Sequence, residues 1–141
     1  MDIIAQLINE NSKSKGKNLD MSTILVVEDT MTQAEIITGS LRNAGFNTIL
    51  AMSGAEARTK ISQQKPSAIV LDVVLPNESG FELCRDLKDK PDTKDIPIIL
   101  CSTKSGEMDK FWGMKQGASA YLTKPVDVAE LIRTIKLLVK D

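Results

Sequence analysis

Short apolar runs alternate with segments of helical periodicity from residue 21 onward. Five runs have the length and character of strands: Thr23–Val27, Thr48–Ala51, Ala68–Leu71, Ile96–Cys101 and Ala120–Leu122. The third and fourth runs are apolar on successive residues, which is typical of parallel strands that helices cover on both faces. We therefore predict an α/β fold, (βα)5, with a doubly wound, five-stranded parallel sheet and helices on both faces.

Five helices are predicted between and after these strands. The first spans about residues 30–44, places Ile36, Ile37 and Leu41 on one apolar stripe, and stops at Gly45. The third spans about residues 79–89. The other helices are bounded by residues that cap or interrupt a helix: Ser53 and Pro66 for the second, Ser105 and Gly117 for the fourth, and Pro125 before the fifth.

Residues 1–20 differ in composition from the rest of the chain. Met1–Glu10 has the pattern of a short amphipathic helix, and Asn11–Asp20 is polar and rich in Lys, Ser and Gly. The favoured interpretation is an N-terminal extension with a flexible linker, because so short a helix is marginally stable alone. The alternative is a helix for partner binding or self-association. Residues 21–141 then form one domain.

Composition argues against several classes of protein. The chain has 141 residues, a net charge of -1 and no apolar run near the length of about 18 residues that spans a bilayer. Because it lacks a signal peptide pattern, we expect a cytoplasmic protein without membrane insertion. A near-neutral charge and one predicted helix after Asp127 argue against DNA binding. Cys84 and Cys101 lie in apolar stretches and are predicted to be buried and unpaired.

Polar side chains stand at the ends of four predicted strands. Glu28 and Asp29 follow the first strand, Asp72 the third, Ser102 the fourth and Lys124 the fifth. Singly, each is a common turn or cap residue, but parallel strands bring all five to one edge of the sheet. Three neighbouring carboxylates repel one another, and a hard cation relieves this repulsion. Oxygen ligands favour Mg²⁺ or Mn²⁺ over zinc.

These residues indicate phosphoryl chemistry. With a cation bound, Asp72 is a plausible nucleophile toward phosphorus. Lys124 and the cation would offset charge on the phosphoryl oxygens, and Ser102 could donate a hydrogen bond to one of them. The sequence contains no histidine, so we expect this chain to accept a phosphoryl group from another protein rather than to donate one from a phosphohistidine.

Two other classes use related residues. Aspartyl phosphatases of the haloacid dehalogenase type also combine an Asp nucleophile, a Lys and Mg²⁺, but they typically need a second Asp where this chain has Val74. A flavodoxin-like nucleotide carrier would need a phosphate cradle after the first strand, where Glu28 and Asp29 would repel a phosphate. We therefore expect no enzyme, beyond catalysis of the chain's own phosphorylation and autodephosphorylation.

Four stretches carry a resemblance to a known family: ILVVED at 24–29, VLDVVLP at 70–76, PIILCS at 97–102 and GASAYLTKP at 117–125. They resemble the receiver domain of two-component response regulators, over residues 21–141. Within that family the chain is similar to the single-domain, CheY-like group, whose fold is flavodoxin-like. Trp112-Gly113 and the run from Gln116 to Val126 resemble the PilH-type regulators of type IV pilus twitching or phototaxis.

The resemblance implies a role for each matching position. Asp72 is implied to be phosphorylated, Ser102 and Lys124 to bind the phosphoryl group, and Ser102 and Tyr121 to rearrange as the signal passes. The Lys124–Pro125 peptide bond is implied to be cis. The same resemblance implies a Mg²⁺ or Mn²⁺ site with these ligands: Asp29, Asp72, Glu28 mostly through water, and the backbone carbonyl of Val74.

The implied partners are a sensor histidine kinase or phosphotransfer protein and a downstream protein target, with the chain a monomer or a phosphorylation-dependent dimer. The output surface would be the fourth helix, fifth strand and fifth helix, with Met108, Phe111, Trp112 and Tyr121 as candidate contacts. Phe111 and Trp112 point about 100° apart on a helix. The favoured interpretation places Trp112 in the core, and the alternative makes it an exposed anchor for a partner. A phosphate sink, draining a kinase without any output, is equally compatible.

Overall fold

The computed structural model describes residues 22–139. Within this range the strands have these bounds: β1 Thr23–Val27, β2 Asn47–Ala51, β3 Ala68–Asp72, β4 Ile98–Ser102 and β5 Ala120–Thr123. The helices alternate with them: α1 Met31–Asn43, α2 Gly54–Gln63, α3 Gly80–Lys88, α4 Glu107–Lys115 and α5 Val128–Leu138. The predicted (βα)5 architecture is confirmed.

The strands form one parallel sheet in the order β2-β1-β3-β4-β5. β1 and β3 are neighbours, with Val27 opposite Leu71, and the chain order reverses between them. β4 lies on the other side of β3 and pairs Cys101 with Asp72. The residues just beyond β1, β3 and β4 therefore meet at the carboxyl edge of the sheet, at the switch point where doubly wound folds bind their ligands.

An apolar layer covers each face of the sheet. Side chains of a strand alternate between the two faces, so successive residues of the buried strands enter different layers. On one face α2 and α3 pack on a layer that includes Leu25, Ile69, Leu71, Ile98, Leu100 and Leu83. On the other face α1 and α5 pack on a layer that includes Ile24, Val26, Val70, Ile99, Leu41 and Leu131. The prediction that central strands are buried on both faces is confirmed.

One face of α1 is buried through Ala34, Ile37, Thr38 and Leu41. The prediction that Ile36 shares this stripe is wrong, because Ile36 is 56% exposed. Each residue turns a helix by about 100°, so Ile36 points away from the sheet while Ile37 points toward it. Ile36 instead lines an apolar cleft of about 420 Å³ that Pro125 and Val126 also line.

Three helices begin at a residue whose side chain accepts a hydrogen bond from the backbone N–H of the third helical residue. The capping residues are Ser53 for α2, Ser79 for α3 and Asp127 for α5. The prediction that Ser105 caps α4 is wrong, because Gly106 holds the capping position and α4 begins at Glu107. A capping side chain must stand immediately before the helix to reach its free N–H groups, and Ser105 stands one residue too early.

Within residues 22–139, α4 is the helix with the fewest buried residues, since it buries Gly113 alone. A Cβ at Gly113 would lie 2.8 Å from the Tyr121 ring, so the helix backbone itself rests on the sheet. Its large apolar side chains are exposed: Met108 by 77%, Phe111 by 57%, Trp112 by 50% and Met114 by 47%. The favoured assignment of Trp112 to the core is therefore wrong, because backbone contact leaves no space for an indole beneath α4.

Both cysteines are free and buried, as predicted. Burial raises the pKa of Cys84 to about 11 and that of Cys101 to about 12, so both thiols stay protonated and are weak nucleophiles at neutral pH. We expect iodoacetamide to leave the native protein unmodified and to alkylate both cysteines after unfolding in guanidinium chloride, as read by intact mass. Equal modification rates in the two states would contradict the described burial.

The predicted extension and linker at residues 1–20 lie outside the described residues, so that assignment stays a prediction. Across residues 22–139 the structure has no helix with the length and apolar character that a membrane span requires.

Candidate functional site

Three carboxylates meet at the carboxyl edge of the sheet. Glu28 and Asp29 follow β1, and Asp72 is the last residue of β3. One carboxylate oxygen from each residue lies within 4.8 Å of the other two. Asp29 is exposed, whereas Glu28 and Asp72 are buried, at 1% and 7% exposure. Negative charges so close together, two of them shielded from water, need positive charge nearby.

Lys124, just beyond β5, supplies part of that positive charge. Its ammonium nitrogen lies 2.6 Å from Oε1 of Glu28 and 3.1 Å from Oδ2 of Asp72. Burial opposes the ammonium charge, but the hydrogen bond to Glu28 and the negative charge of Asp72 outweigh it, so the pKa of Lys124 is raised. One ammonium against three carboxylates leaves two negative charges for a divalent cation to neutralise.

Backbone N–H groups hold the other oxygens of the two buried carboxylates. Thr30 donates to Oε2 of Glu28 at 3.1 Å, and Val74 donates to Oδ1 of Asp72 at 3.2 Å. Each of these carboxylates thus has one oxygen on Lys124 and the other on a backbone donor. Hydrogen bonds to ionised groups offset part of their desolvation and fix their orientation.

The donor set fits a hard divalent cation. Mg²⁺ prefers oxygen ligands and commonly binds through one or two carboxylates while keeping several waters. Glu28, Asp29 and Asp72 offer only oxygen, and the exposed Asp29 leaves the cluster open to solvent. The role of the Val74 carbonyl as a further ligand stays a prediction.

Ser102 and Tyr121 are joined through the backbone of Lys104, because each forms a hydrogen bond with a main-chain group of that residue. Ser102 is fully buried at the end of β4, and its Oγ accepts a hydrogen bond from the Lys104 N–H at 3.0 Å. The Tyr121 hydroxyl donates to the Lys104 carbonyl at 2.6 Å. Sequence reasoning named Ser102 and Tyr121 but missed this link, because a backbone group has no side-chain signature.

The part of the chain that contains this site matches known proteins. The family model of the response regulator receiver domain matches residues 24–136. The chain belongs to this family. PilH of Pseudomonas aeruginosa is 39% identical over 115 residues, which are 82% of this chain and 95% of PilH. This receiver domain is also 39% identical to the phosphate regulon transcriptional regulatory protein PhoB of the same organism, over 84% of this chain and 52% of PhoB.

Solved structures of similar proteins have the same fold as this receiver domain. A response regulator from Chloroflexus aurantiacus is 36% identical with a TM-score of 0.80, covering 84% of this chain and 97% of that one. The receiver domain of the Pseudomonas aeruginosa sensor histidine kinase PA1611 is 28% identical with a TM-score of 0.77, over 84% of this chain and 97% of that one. That structure holds a magnesium ion in its active site cleft. The flavodoxin-like, CheY-like fold and the resemblance to PilH-type regulators are confirmed.

The structure brings together most of the residues that the sequence singled out in this receiver domain. Lys124 contacts two of the three carboxylates directly, and the Lys124–Pro125 peptide bond is cis. Ser102 lies opposite Thr123 in the β4–β5 pairing, one residue before Lys124. Three further predicted residues are exposed on α4: Met108, Phe111 and Trp112.

Proposed function

We propose that this receiver domain is a phospho-accepting response regulator of a two-component phosphorelay, in which Asp72 receives a phosphoryl group from a histidine kinase or phosphotransfer protein. One observation carries the proposal: the Asp72 carboxylate lies within 4.8 Å of those of Glu28 and Asp29 and 3.1 Å from the Lys124 ammonium. A nucleophilic carboxylate, an acidic cation site and a fixed ammonium are the groups that phosphoryl transfer requires.

In the proposed transfer, an oxygen of Asp72 forms the new bond to phosphorus while the bond to the donor's imidazole nitrogen breaks, and that nitrogen keeps the electron pair. When bound, Mg²⁺ or Mn²⁺ would neutralise charge on the phosphoryl oxygens. Lys124 would exchange its contact with Asp72 for one with a phosphoryl oxygen while keeping Glu28. The residues that would hold the cation are Glu28, Asp29, Asp72 and the backbone carbonyl of Val74.

The signal would leave the site through Ser102, Lys104 and Tyr121. The Ser102 hydroxyl oxygen accepts a hydrogen bond from the Lys104 N–H. When this hydroxyl turns toward a phosphoryl oxygen, that hydrogen bond would break. The backbone of Lys104 can then shift on both sides of its Cα, and Tyr121 would lose the carbonyl to which it donates. The Tyr121 ring lies against Gly113 of α4, so this movement would alter the surface formed by α4, β5 and α5.

That surface is proposed to bind a downstream protein in the cytoplasm. Phe111 and Trp112 are half exposed on α4, and exposed aromatic side chains are common anchors of protein interfaces. The match to PilH over 95% of its length supports a target in type IV pilus motility. The same surface would serve a phosphorylation-dependent dimer.

Val74 supports a signalling role over a turnover role. It occupies the position where an aspartyl phosphatase of the haloacid dehalogenase type typically carries its general acid/base, and its side chain cannot take a proton from water. Hydrolysis of the acyl phosphate on Asp72 is therefore expected to be slow. A slow reaction suits a signal that must persist until its target is reached.

Incubation with acetyl phosphate, with and without Mg²⁺, tests the proposal. We expect the intact mass to rise by one phosphoryl group with Mg²⁺ and far less without it, because the unneutralised carboxylates repel the phosphoryl oxygens. A chain that stays unmodified with Mg²⁺, while an authentic receiver domain is labelled in the same buffer, would contradict the proposal.

A further inference from the structure

A second cluster of charged side chains includes a residue of the loop that follows Asp72. Arg58 of α2 makes paired hydrogen bonds to Glu78, from Nη1 to Oε1 at 2.5 Å and from Nη2 to Oε2 at 3.0 Å. Nη2 also donates to Oδ2 of Asp86 in α3 at 2.9 Å. The three side chains therefore join α2, α3 and the β3–α3 loop, residues 73–79. No step of the proposed phosphoryl transfer uses them.

Glu78 is the most enclosed of the three side chains, with 18% exposure against 34% for Arg58 and 46% for Asp86. Its carboxylate lies over Gly54, the first residue of α2. A Cβ added to Gly54 would lie 1.9 Å from Oε1 of Glu78. The positive end of the helix dipole there adds to the guanidinium charge. A paired Arg–carboxylate contact has a defined geometry, so it can hold the loop in one position.

The loop that Glu78 holds also orients Asp72. Val74 donates its N–H to Oδ1 of Asp72 at 3.2 Å, and Val74 pairs with Ser79 in an isolated antiparallel bridge. Ser79 is the neighbour of Glu78, so the residue that closes the bridge is fixed by the ion pair. A displaced Glu78 would shift Ser79, then Val74, and then the Asp72 carboxylate.

We propose that Arg58 and Glu78 are positioning residues for Asp72 and Val74, and that their ion pair sets the affinity of the site for Mg²⁺. The inference rests on the proposed function, because it concerns the same cation site. Bound Mg²⁺ would itself hold Asp72 and Val74 in place. Loss of the ion pair should therefore weaken Mg²⁺ binding while leaving the transfer rate at saturating Mg²⁺ nearly unchanged.

Glu78→Gln tests the proposal with almost no change in side-chain volume. We expect its Mg²⁺ dissociation constant, measured by isothermal titration calorimetry, to rise roughly fivefold. Mutation of a group that contacts a metal ligand directly typically weakens metal binding by about 10–100-fold, and Glu78 acts one step further away. Labelling by acetyl phosphate should slow at low Mg²⁺ and recover at high Mg²⁺. The matched control is Glu82→Gln, which removes the same charge from an exposed position on the first turn of α3 and should bind Mg²⁺ like the native chain.

Gly54→Ala separates positioning from stability, because it keeps every charge. Its methyl group displaces the Glu78 carboxylate, while alanine is a better helix former than glycine. The proposal requires weaker Mg²⁺ binding in Gly54→Ala as well. Arg58→Met combined with Glu78→Gln should bind Mg²⁺ no more weakly than either single variant, because both remove the same contact.

The outcomes distinguish the two proposals. A native chain without measurable Mg²⁺ affinity would overturn the proposed function. If Glu78→Gln or Gly54→Ala binds Mg²⁺ as tightly as the native chain, the positioning role alone is overturned. The same holds if Glu78→Gln lowers the melting temperature without weakening Mg²⁺ binding. Additive losses in the double variant would also overturn it, since they would show that Arg58 and Glu78 act separately.

Discussion

Asp72→Asn is expected to abolish the Mg²⁺-dependent gain of a phosphoryl group from acetyl phosphate. An amide oxygen does not form a stable acyl phosphate, and Glu28 is not expected to replace Asp72, because it is more deeply buried, at 1% exposure against 7%, and lies closer to the Lys124 ammonium, at 2.6 Å against 3.1 Å. The amide keeps the size of Asp72 and can still accept the Val74 N–H. Intact mass after incubation, alongside the native chain, provides the measurement.

The fold should survive this substitution. Removal of one of three clustered carboxylates relieves repulsion, and Lys124 keeps its contact with Glu28 at 2.6 Å. Mg²⁺ should raise the melting temperature of the native chain more than that of Asp72→Asn, because a ligand stabilises the state that binds it. Asp92→Asn, which removes an exposed carboxylate before β4, should be labelled like the native chain. Persistent labelling of Asp72→Asn would refute the assignment of the acceptor.

Gly80→Ala is expected to destabilise the protein strongly. A Cβ at this position would lie 2.2 Å from the carbonyl oxygen of Asp72 and 2.8 Å from Cα of Val73. Both are backbone atoms, so neither can rotate away, and α3 must move from β3. By comparison with other overpacked sites, the free energy of unfolding should fall by about 3 kcal/mol, as measured by urea denaturation. Labelling should also slow, because the strained backbone carries Asp72.

Gly39→Ala is the matched control for this prediction. Gly39 lies inside α1, and nothing comes within 4 Å of a Cβ placed there. The same methyl group should therefore raise the free energy of unfolding by about 0.5–1 kcal/mol, through helix propensity alone. Equal effects of the two substitutions would mean that the close approach of Gly80 to β3 is absent in solution.

The sheet and its acidic edge could be predicted because both follow from local patterns. Apolar runs mark the buried strands, and parallel strands place their carboxyl ends side by side. Once β1 and β3 are neighbours, Glu28, Asp29 and Asp72 must converge. The end of β5 places Lys124 at the same edge, but β4 stands between β5 and β3, so the long lysine side chain has to reach across to Asp72 and Glu28.

Features that depend on distant partners or on helix placement were not predictable. The stripe of α1 was misjudged at Ile36 because adjacent apolar residues do not reveal which one faces the sheet. Trp112 was misjudged because its exposure depends on how closely Gly113 approaches Tyr121. The contact of Arg58 with Glu78 joins residues 20 positions apart, and nothing in the local sequence marks it.

The shallow attachment of α4 bears on how much free energy a signal must supply. Among the helices within residues 22–139, α4 has the fewest buried residues, because Gly113 is the one residue that it buries. Elements with few buried contacts open locally at low free-energy cost. We therefore expect α4 to visit displaced positions before Asp72 is modified. Phosphorylation would then change how often those positions are occupied rather than force the helix from the sheet.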